Sequence, residues 1–337
     1  MNTSPTGNAG PSVFGPWQHG MSSIRADHRT TNTTYSGSNS NVGNISNSYN
    51  TVNVGIEEES LRIQEWISPL EPHKKHRDVR NRRLDGVGEW VLRRCEFESW
   101  YKNQDGSVNP TLLCYGNQGV GKTCIRYKSI LPKQWTMLTR NKISSLVIDT
   151  LRKQTRGRNI AVIFLYCDYQ TQKNQSAVNM IGSLVRQVAL RAPRIPSEIK
   201  SAFDESKAEG GDGLQLPDMV KLFVKVIGSI EVVYLCVDAV DEVLPQHRLE
   251  FLRALRQIIQ EAPNVQLFLT GRPYIRAELD KNLTKRAHAI HIVADQGDIT
   301  RYLSQKMGDD DDQDPGLMTE NLKNDIMKTM LEKASEM

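Results

Sequence analysis

The residues best placed to do chemistry are Gly116, Asn117, Gln118, Gly119, Val120, Gly121, Lys122 and Thr123, which read GNQGVGKT. Glycines at 116, 119 and 121 let the backbone turn tightly, so that successive N–H groups face inward and cradle an anion. Lys122 reaches the β- and γ-phosphates of a nucleotide as a point charge, and the Thr123 hydroxyl completes the coordination of Mg²⁺. The preceding run, TLLCY from Thr111, supplies the strand such a loop must follow. A helix beginning after the loop adds its positive end.

Carboxylates stand where the loop needs them. VVYLCV, Val232 to Val237, runs straight into Asp238, with Asp241 and Glu242 one turn further. From the end of a buried strand Asp238 can hold Mg²⁺, usually through water, opposite Thr123. Asp241 or Glu242 can orient or deprotonate an attacking water, with Glu242 favoured and Asp241 as its supporting partner. VQLFLT, Val265 to Thr270, ends at Gly271 and Arg272, and Arg272 can sense the γ-phosphate or stabilise charge that develops as it leaves. Without the loop, the same residues would read as a helix cap, helix-start acids and a surface ion pair. His288 and His291 fall on opposite faces of a strand, so they are expected to be packing residues rather than joint metal ligands.

The elements that must position these groups are legible as runs. AVIFLYC from Ala161 to Cys167, the two runs before Asp238 and Gly271, TLLCY and a weaker run from Ala289 to Val293 read as strands. Helical spacing falls between them: at Val178 to Val188, from Ser197, at Asp218 to Gly228, at His247 to Glu261 and at Asp298 to Met307. Strands alternating with helices specify an α/β fold, a P-loop NTPase with a parallel five-stranded sheet flanked by helices. In such a sheet the ligand sits outside the carboxyl ends of the strands, which is where the loop, the acids and Arg272 fall.

Around this core lie less patterned segments. Residues 1–55 are rich in Asn, Ser, Thr and Gly and are expected to form a disordered arm. Within the arm, Asn41 to Gly55 has a composition able to stack into cross-strand ladders, although a solvated tail is the simpler reading. Residues 56–109 read as a helical linker: a short amphipathic helix ending before Pro69, the basic run HKKHRDVRNRR from His73 to Arg83 as a solvated hinge, and one helix carrying Trp90, Val91, Cys95, Phe97 and Trp100. The NTPase proper is assigned to 110–307, and 308–337 to an acidic loop and the start of a further helical region.

Composition excludes several classes. A net charge of +4 over 337 residues gives no case for nucleic acid. No basic start with an apolar segment and no long apolar stretch argues for secretion or a membrane span. The five cysteines, Cys95, Cys114, Cys124, Cys167 and Cys236, lack metal-ligand spacing and fit a reducing, cytoplasmic setting.

The motifs WISPLEPHKKHRDVRNRRLDGVGEWVL, GNQGVGKT, FLYCDYQTQKNQS, VVYLCVDAVDEV and VQLFLTGRPY, in this order, resemble the NACHT domains of fungal signal-transducing NTPases, the group related to the nephrocystin-3 amino-terminal region. The resemblance spans about residues 60–335. It implies a switch that holds ADP when closed and opens with ATP to form a homo-oligomer through the nucleotide domain, with slow hydrolysis resetting it. It implies Lys122 and Thr123 for phosphate and Mg²⁺, Asp238 for Mg²⁺, Asp241 and Glu242 for the hydrolytic water, and Arg272 as sensor (Walker A and Walker B roles).

Two departures stand out. Residues 124–142 intervene between the loop and ISSLVIDTLRKQ, which looks like the family's loop-anchoring helix; joining Thr123 to Ile143 nearly restores the pattern, as a translated retained intron would. Pro132 cannot continue a helix, so impaired nucleotide affinity is expected. Family members also continue past a segment like LEKASEM into further domains, so this chain is expected to lack its own sensor. The rival readings are a P-loop kinase and a nonenzymatic interaction module whose site the insert has disabled. Asn141-Lys142 is followed by Ile143 and Ser144 rather than by a guanine-reading Asp, which favours ATP over GTP.

Overall fold

The structure, a computed structural model, describes residues 48–102, 110–116, 135–192, 194–210, 213–284, 287–293, 295–313 and 319–335. At its centre is a parallel sheet of β1 (Thr111–Tyr115), β2 (Ile160–Tyr166), β3 (Val232–Asp238), β4 (Val265–Gly271) and β5 (His288–His291), in the order β2-β3-β4-β1-β5. These are the predicted strands, with ends moved by a residue or two. β2, β3 and β4 are buried along their whole lengths. That explains why they read as continuous apolar runs rather than alternating ones: both faces of the sheet are covered.

Among the described residues, α1 (Ser48–Ile67), α2 (Pro72–Asn81) and α3 (Cys95–Lys102) precede β1, with a 3-10 turn at Glu89–Arg93. They build the core as well as lead into it. Ile63 and Ile67 of α1 join one buried cluster, and Val91, Phe97 and Trp100 join the other. α1 begins at Ser48, so the last residues assigned to the disordered arm are helical. Once the buried end of a helix is nucleated, each further residue adds a hydrogen bond at little cost. The single helix expected over Trp90 to Trp100 is broken at Arg94, whose ψ of 138° is extended.

The chain leaves β1 toward one edge of the sheet and returns from β2 through β3 and β4 toward the other. Right-handed crossovers then demand helices on opposite faces. α4 (Trp135–Gln154) covers one face, with Ile143, Val147, Ile148 and Leu151 against Leu112, Phe164 and Phe268. α5 (Ala177–Ala189), α6 (Ser197–Ala208), α7 (Leu216–Ile227) and α8 (Pro245–Glu261) contribute to the other, where Leu184, Phe223 and Phe251 meet Ile163 and Leu235. The reversal falls beside β1, so the crevice at the carboxyl ends opens between β1 and β4. As described, α4 spans Trp135–Gln154 and so takes in residues 135–142 of the 124–142 insert.

One edge of the sheet is closed by a side chain, and one helix contact depends on a glycine. Gln187 of α5 lies along the free edge of β2, its Oε1 accepting from Phe164 N at 3.1 Å and its Nε2 donating to Phe164 O at 2.8 Å. The amide satisfies both ladder groups that an incoming strand would need. Gly182 of α5 faces the end of α1, where a β-carbon would collide with the Ile67 carbonyl. Only glycine allows that approach, which Ser68 fixes by donating to Asn179 O at 2.7 Å.

After β4 come α9 (Arg276–Asn282), α10 (Gln296–Gln313) and α11 (Glu320–Ser335). Ile299, Leu303 and Met307 of α10 form a small core with Leu84, Leu322 and Ile326. Asp298 ties this pair to the segment before β1, accepting from Gly88 N at 2.9 Å and Trp90 Nε1 at 3.1 Å. Of the run Asp309 to Asp314, expected as an acidic loop, the residues up to Gln313 continue α10, and Asp314 lies outside the described residues. The turn anchored by Leu303 and Met307 carries the helix forward despite acids at its unfavourable end.

Candidate functional site

Three strand ends meet at one margin. Gly116 follows β1 directly and its N–H donates to Gly271 O at 3.4 Å. Tyr115 pairs with Gly271, and Val237 pairs with Leu269, so Gly116, Asp238 and Arg272 leave adjacent strands at nearly the same level. A β-carbon on Gly116 would come within 2.9 Å of the Ile292 carbonyl, so the loop's first residue has to be glycine. Asn117, Gln118, Gly119, Val120, Gly121, Lys122 and Thr123 lie outside the described residues.

Asp238 is buried at 1% exposure and its Oδ1 accepts two hydroxyl hydrogen bonds, from Ser144 at 2.5 Å and Thr270 at 2.6 Å. Thr270 also accepts from Ala239 N at 2.9 Å, which fixes its hydroxyl as donor to the carboxylate. Ser144 comes from α4 and Thr270 from β4. Sequence reasoning missed both residues. The one signal for Ser144 is a polar position inside the otherwise apolar face Ile143, Val147 and Leu151.

Ala239 is the one non-glycine with positive φ among the described residues, at φ 59° and ψ 42°. This left-handed conformation costs roughly 1–2 kcal/mol for a residue with a β-carbon. It turns the chain out of β3 into the single 3-10 turn Val240–Glu242, closed by Glu242 N to Ala239 O at 2.8 Å. The two acids then diverge. The Asp241 carboxylate faces Arg272, with Oδ2 3.0 Å from Nε. Glu242 is half-buried and its Oε2 accepts from Tyr169 N, in the loop after β2, at 3.4 Å.

Behind Asp238 a polar chain reaches α2. Tyr166 pairs with Asp238 across β2 and β3, and its hydroxyl lies 2.8 Å from His76 Nδ1. His76 Nε2 lies 3.1 Å from Asp149 Oδ1, to which a ring protonated on Nε2 donates. Asp149 also meets Arg83 at 2.8 Å, and Arg83 donates to Ser145 at 2.7 Å. The basic run expected to be a solvated hinge is therefore docked through its polar face. Hydrophobic periodicity cannot register a helix held by His76, Arg83 and Lys75, the last of which meets Asp168 at 2.6 Å.

Burial alone would raise the Asp149 carboxyl, but the His76 hydrogen bond and charge, with Arg83, hold it below its usual value. A depressed acid contributes stability that is complete above its unfolded value of about 3.9 and is lost as pH falls through the folded one. Unfolding free energy should therefore drop as pH is lowered below about 4. In Asp149→Asn that acid limb should be shallower in denaturant titrations, and an unchanged slope would show that the cluster does not discriminate charge.

The Asp238 carboxylate is a hard oxygen donor that suits Mg²⁺ rather than a soft metal, and the Ser144 and Thr270 hydroxyls orient it by donating to Oδ1. Among the described residues no group of three or more His, Cys, Asp and Glu is gathered as for an all-protein metal cage. His291 is exposed and lies 5.2 Å from the Tyr115 ring, on which the Arg276 guanidinium also sits.

A parallel sheet in this strand order, with a glycine-rich loop motif after β1 and a buried carboxylate at the end of β3, has the fold of a P-loop NTPase. Residues 140–272 match the family described as Nephrocystin 3, N-terminal. That match starts inside α4 and ends at Arg272, so it takes in Ser144, Asp238, Glu242 and Arg272 but not the loop. Among solved structures the chain is similar to the Aeropyrum pernix ORC1 protein in complex with DNA, at 13% identity over 72% of this chain and 51% of that one, with a TM-score of 0.34. It is also similar to C. elegans PCH-2, at 14% identity over 50% of this chain and 47% of that one, with a TM-score of 0.23. The chain thus spans about half the length of each. No curated protein matches. No helix among the described residues is long and apolar enough to cross a membrane.

Proposed function

We propose that this chain is a nucleotide-dependent signalling switch of the NACHT type, which binds ATP, or GTP, with Mg²⁺ and hydrolyses it slowly. The observation that supports this reading is the convergence of Gly116, Asp238, the Asp241–Glu242 turn and Arg272 on one sheet margin. In this reading Gly116 to Gly121 cradle the phosphates, and Lys122 neutralises them. Thr123 and Asp238 hold Mg²⁺, which supplies charge stabilisation at the phosphates. Glu242 orients the attacking water and holds its proton.

Arg272 has a specific part. Its partner at rest is the buried Asp241 carboxylate, so a γ-phosphate would compete with Asp241 for the same guanidinium. Exchange of one anion for the other converts the presence of γ-phosphate into a movement of the turn that carries Glu242. Assembly into a homo-oligomer through the nucleotide domain, in the cytoplasm, belongs to the same reading.

One observation favours the rival, a nonenzymatic interaction module. The family match begins only at residue 140, so it leaves out the loop and all but the last three residues of the insert. Thermal unfolding with and without millimolar Mg²⁺·ATP or Mg²⁺·GTP separates the two. A nucleotide at a hundred times its Kd stabilises by about 2.7 kcal/mol, a rise of several degrees. No shift with either nucleotide, on this chain or on one lacking residues 124–142, would leave the interaction module. Phosphoryl transfer to an acceptor well above the water rate would instead favour a kinase.

A further inference from the structure

Arg248, in the first turn of α8, is buried at 8% exposure and uses its whole guanidinium. Nη1 donates to Asp241 O at 3.3 Å and to Val243 O at 2.9 Å, the carbonyls on either side of Glu242. Nε and Nη2 turn the other way, to the Glu278 carboxylate on α9, at 2.9 to 3.1 Å. α9 follows the segment that begins at Arg272, so the arginine joins the acidic turn after β3 to the chain leaving β4.

This fork is a second tie between the same two segments. The first, Asp241 to Arg272, is a side-chain ion pair that a phosphate could open. The second spends the guanidinium on two backbone carbonyls and a carboxylate, and the Arg248 side chain is 9% exposed against 29% for Arg272, so a phosphate has less access to it. A planar guanidinium suits the task, since lysine cannot present parallel donors to a carboxylate while holding two carbonyls.

We infer that Arg248 is the positioning residue for Glu242: it holds the carbonyls of the two residues flanking that acid while Arg272 exchanges partners. The inference rests on the hydrolytic reading of the site only for its kinetic consequence; the clamp itself is made by this chain's own residues. Misplacing a catalytic group by about 1 Å costs on the order of 10²-fold in rate while leaving phosphate binding alone.

The test pairs two measurements on Arg248→Met, Arg248→Lys and Glu278→Gln. Hydrogen exchange at the amides of Glu242 and Val243 should be at least about tenfold faster in Arg248→Met, with the body of β3 unchanged, because those amides close the turn. Single-turnover hydrolysis should fall by on the order of 10²-fold with nucleotide Kd within about twofold, and Arg248→Lys should lie between. Glu278→Gln, which leaves the arginine in place, should give the same pattern with smaller changes and serves if Arg248→Met does not fold. Faster exchange in a chain whose wild type hydrolyses nothing supports the clamp and sinks the hydrolytic reading. Unchanged exchange, or Kd and rate failing together, overturns the role given to Arg248.

Discussion

Replacing Asp238 with Ala should abolish Mg²⁺-dependent nucleotide binding and, in the empty chain, lower stability by about 2–4 kcal/mol. The second effect follows from the two hydroxyls that end on this carboxylate. Ser144 and Thr270 are buried at 1% and 0% exposure, and neither could reach water if Asp238 were truncated. Each stranded polar group costs roughly 1–3 kcal/mol, partly offset because Thr270 still accepts from Ala239 N. Asp238→Asn separates the roles. It keeps the shape and an acceptor oxygen, so it should retain most of the stability, but it lacks the charge that a divalent ion requires. Denaturant unfolding gives the stabilities and equilibrium binding with and without Mg²⁺ gives the affinities. An Asn variant that binds Mg²⁺·ATP like wild type would remove Asp238 from the metal site.

Trp100→Ala should cost about 3–5 kcal/mol, enough to consume much of the stability of an ordinary domain. The ring is fully buried at 0% exposure, edge-on to Tyr234 at 5.5 Å and tilted against Phe268 at 6.1 Å, and its Nε1 donates to Pro110 O at 3.1 Å. It therefore joins α3 to β3, β4 and the residue just before β1. Trp100→Phe keeps most of the volume and loses the hydrogen bond, so its cost should be nearer 1–2 kcal/mol. If residues 56–109 were a linker tethered to a self-sufficient sheet, both substitutions would fall within about 0.5 kcal/mol. Thermal or denaturant midpoints of the two variants decide between these outcomes.

The strands and the acids at their ends were legible because parallel buried strands leave a simple trace, an unbroken apolar run that stops at a carboxylate or glycine. The side chains that organise the site left no such trace. Ser144 and Asp238 are 94 positions apart, and Arg248 and Glu278 are 30 apart. Nothing in the local pattern of either partner announces the other. His76 and Asp149 illustrate the same limit in α2, where a polar helix face is buried by pairing rather than by apolar contact. Helix limits were misread where growth from an anchored turn overrode composition, at Ser48 in α1 and along Asp309 to Asp312 in α10. Ala239 was invisible for a different reason: the left-handed turn it adopts is imposed by the bonds that Thr270 and Glu242 make around it, not by its own preference.

The most direct measurement is metal-directed cleavage, with Fe²⁺ placed in the Mg²⁺ site in the presence of ATP and then treated with ascorbate and peroxide. The ion cuts the backbone beside the residues that hold it. If three strand ends form one nucleotide site, fragments should end next to Asp238 and within Gly116 to Thr123, and both cuts should vanish with excess Mg²⁺ or in Asp238→Asn. Cuts confined to other segments, or no cuts while nucleotide remains bound, would contradict that arrangement.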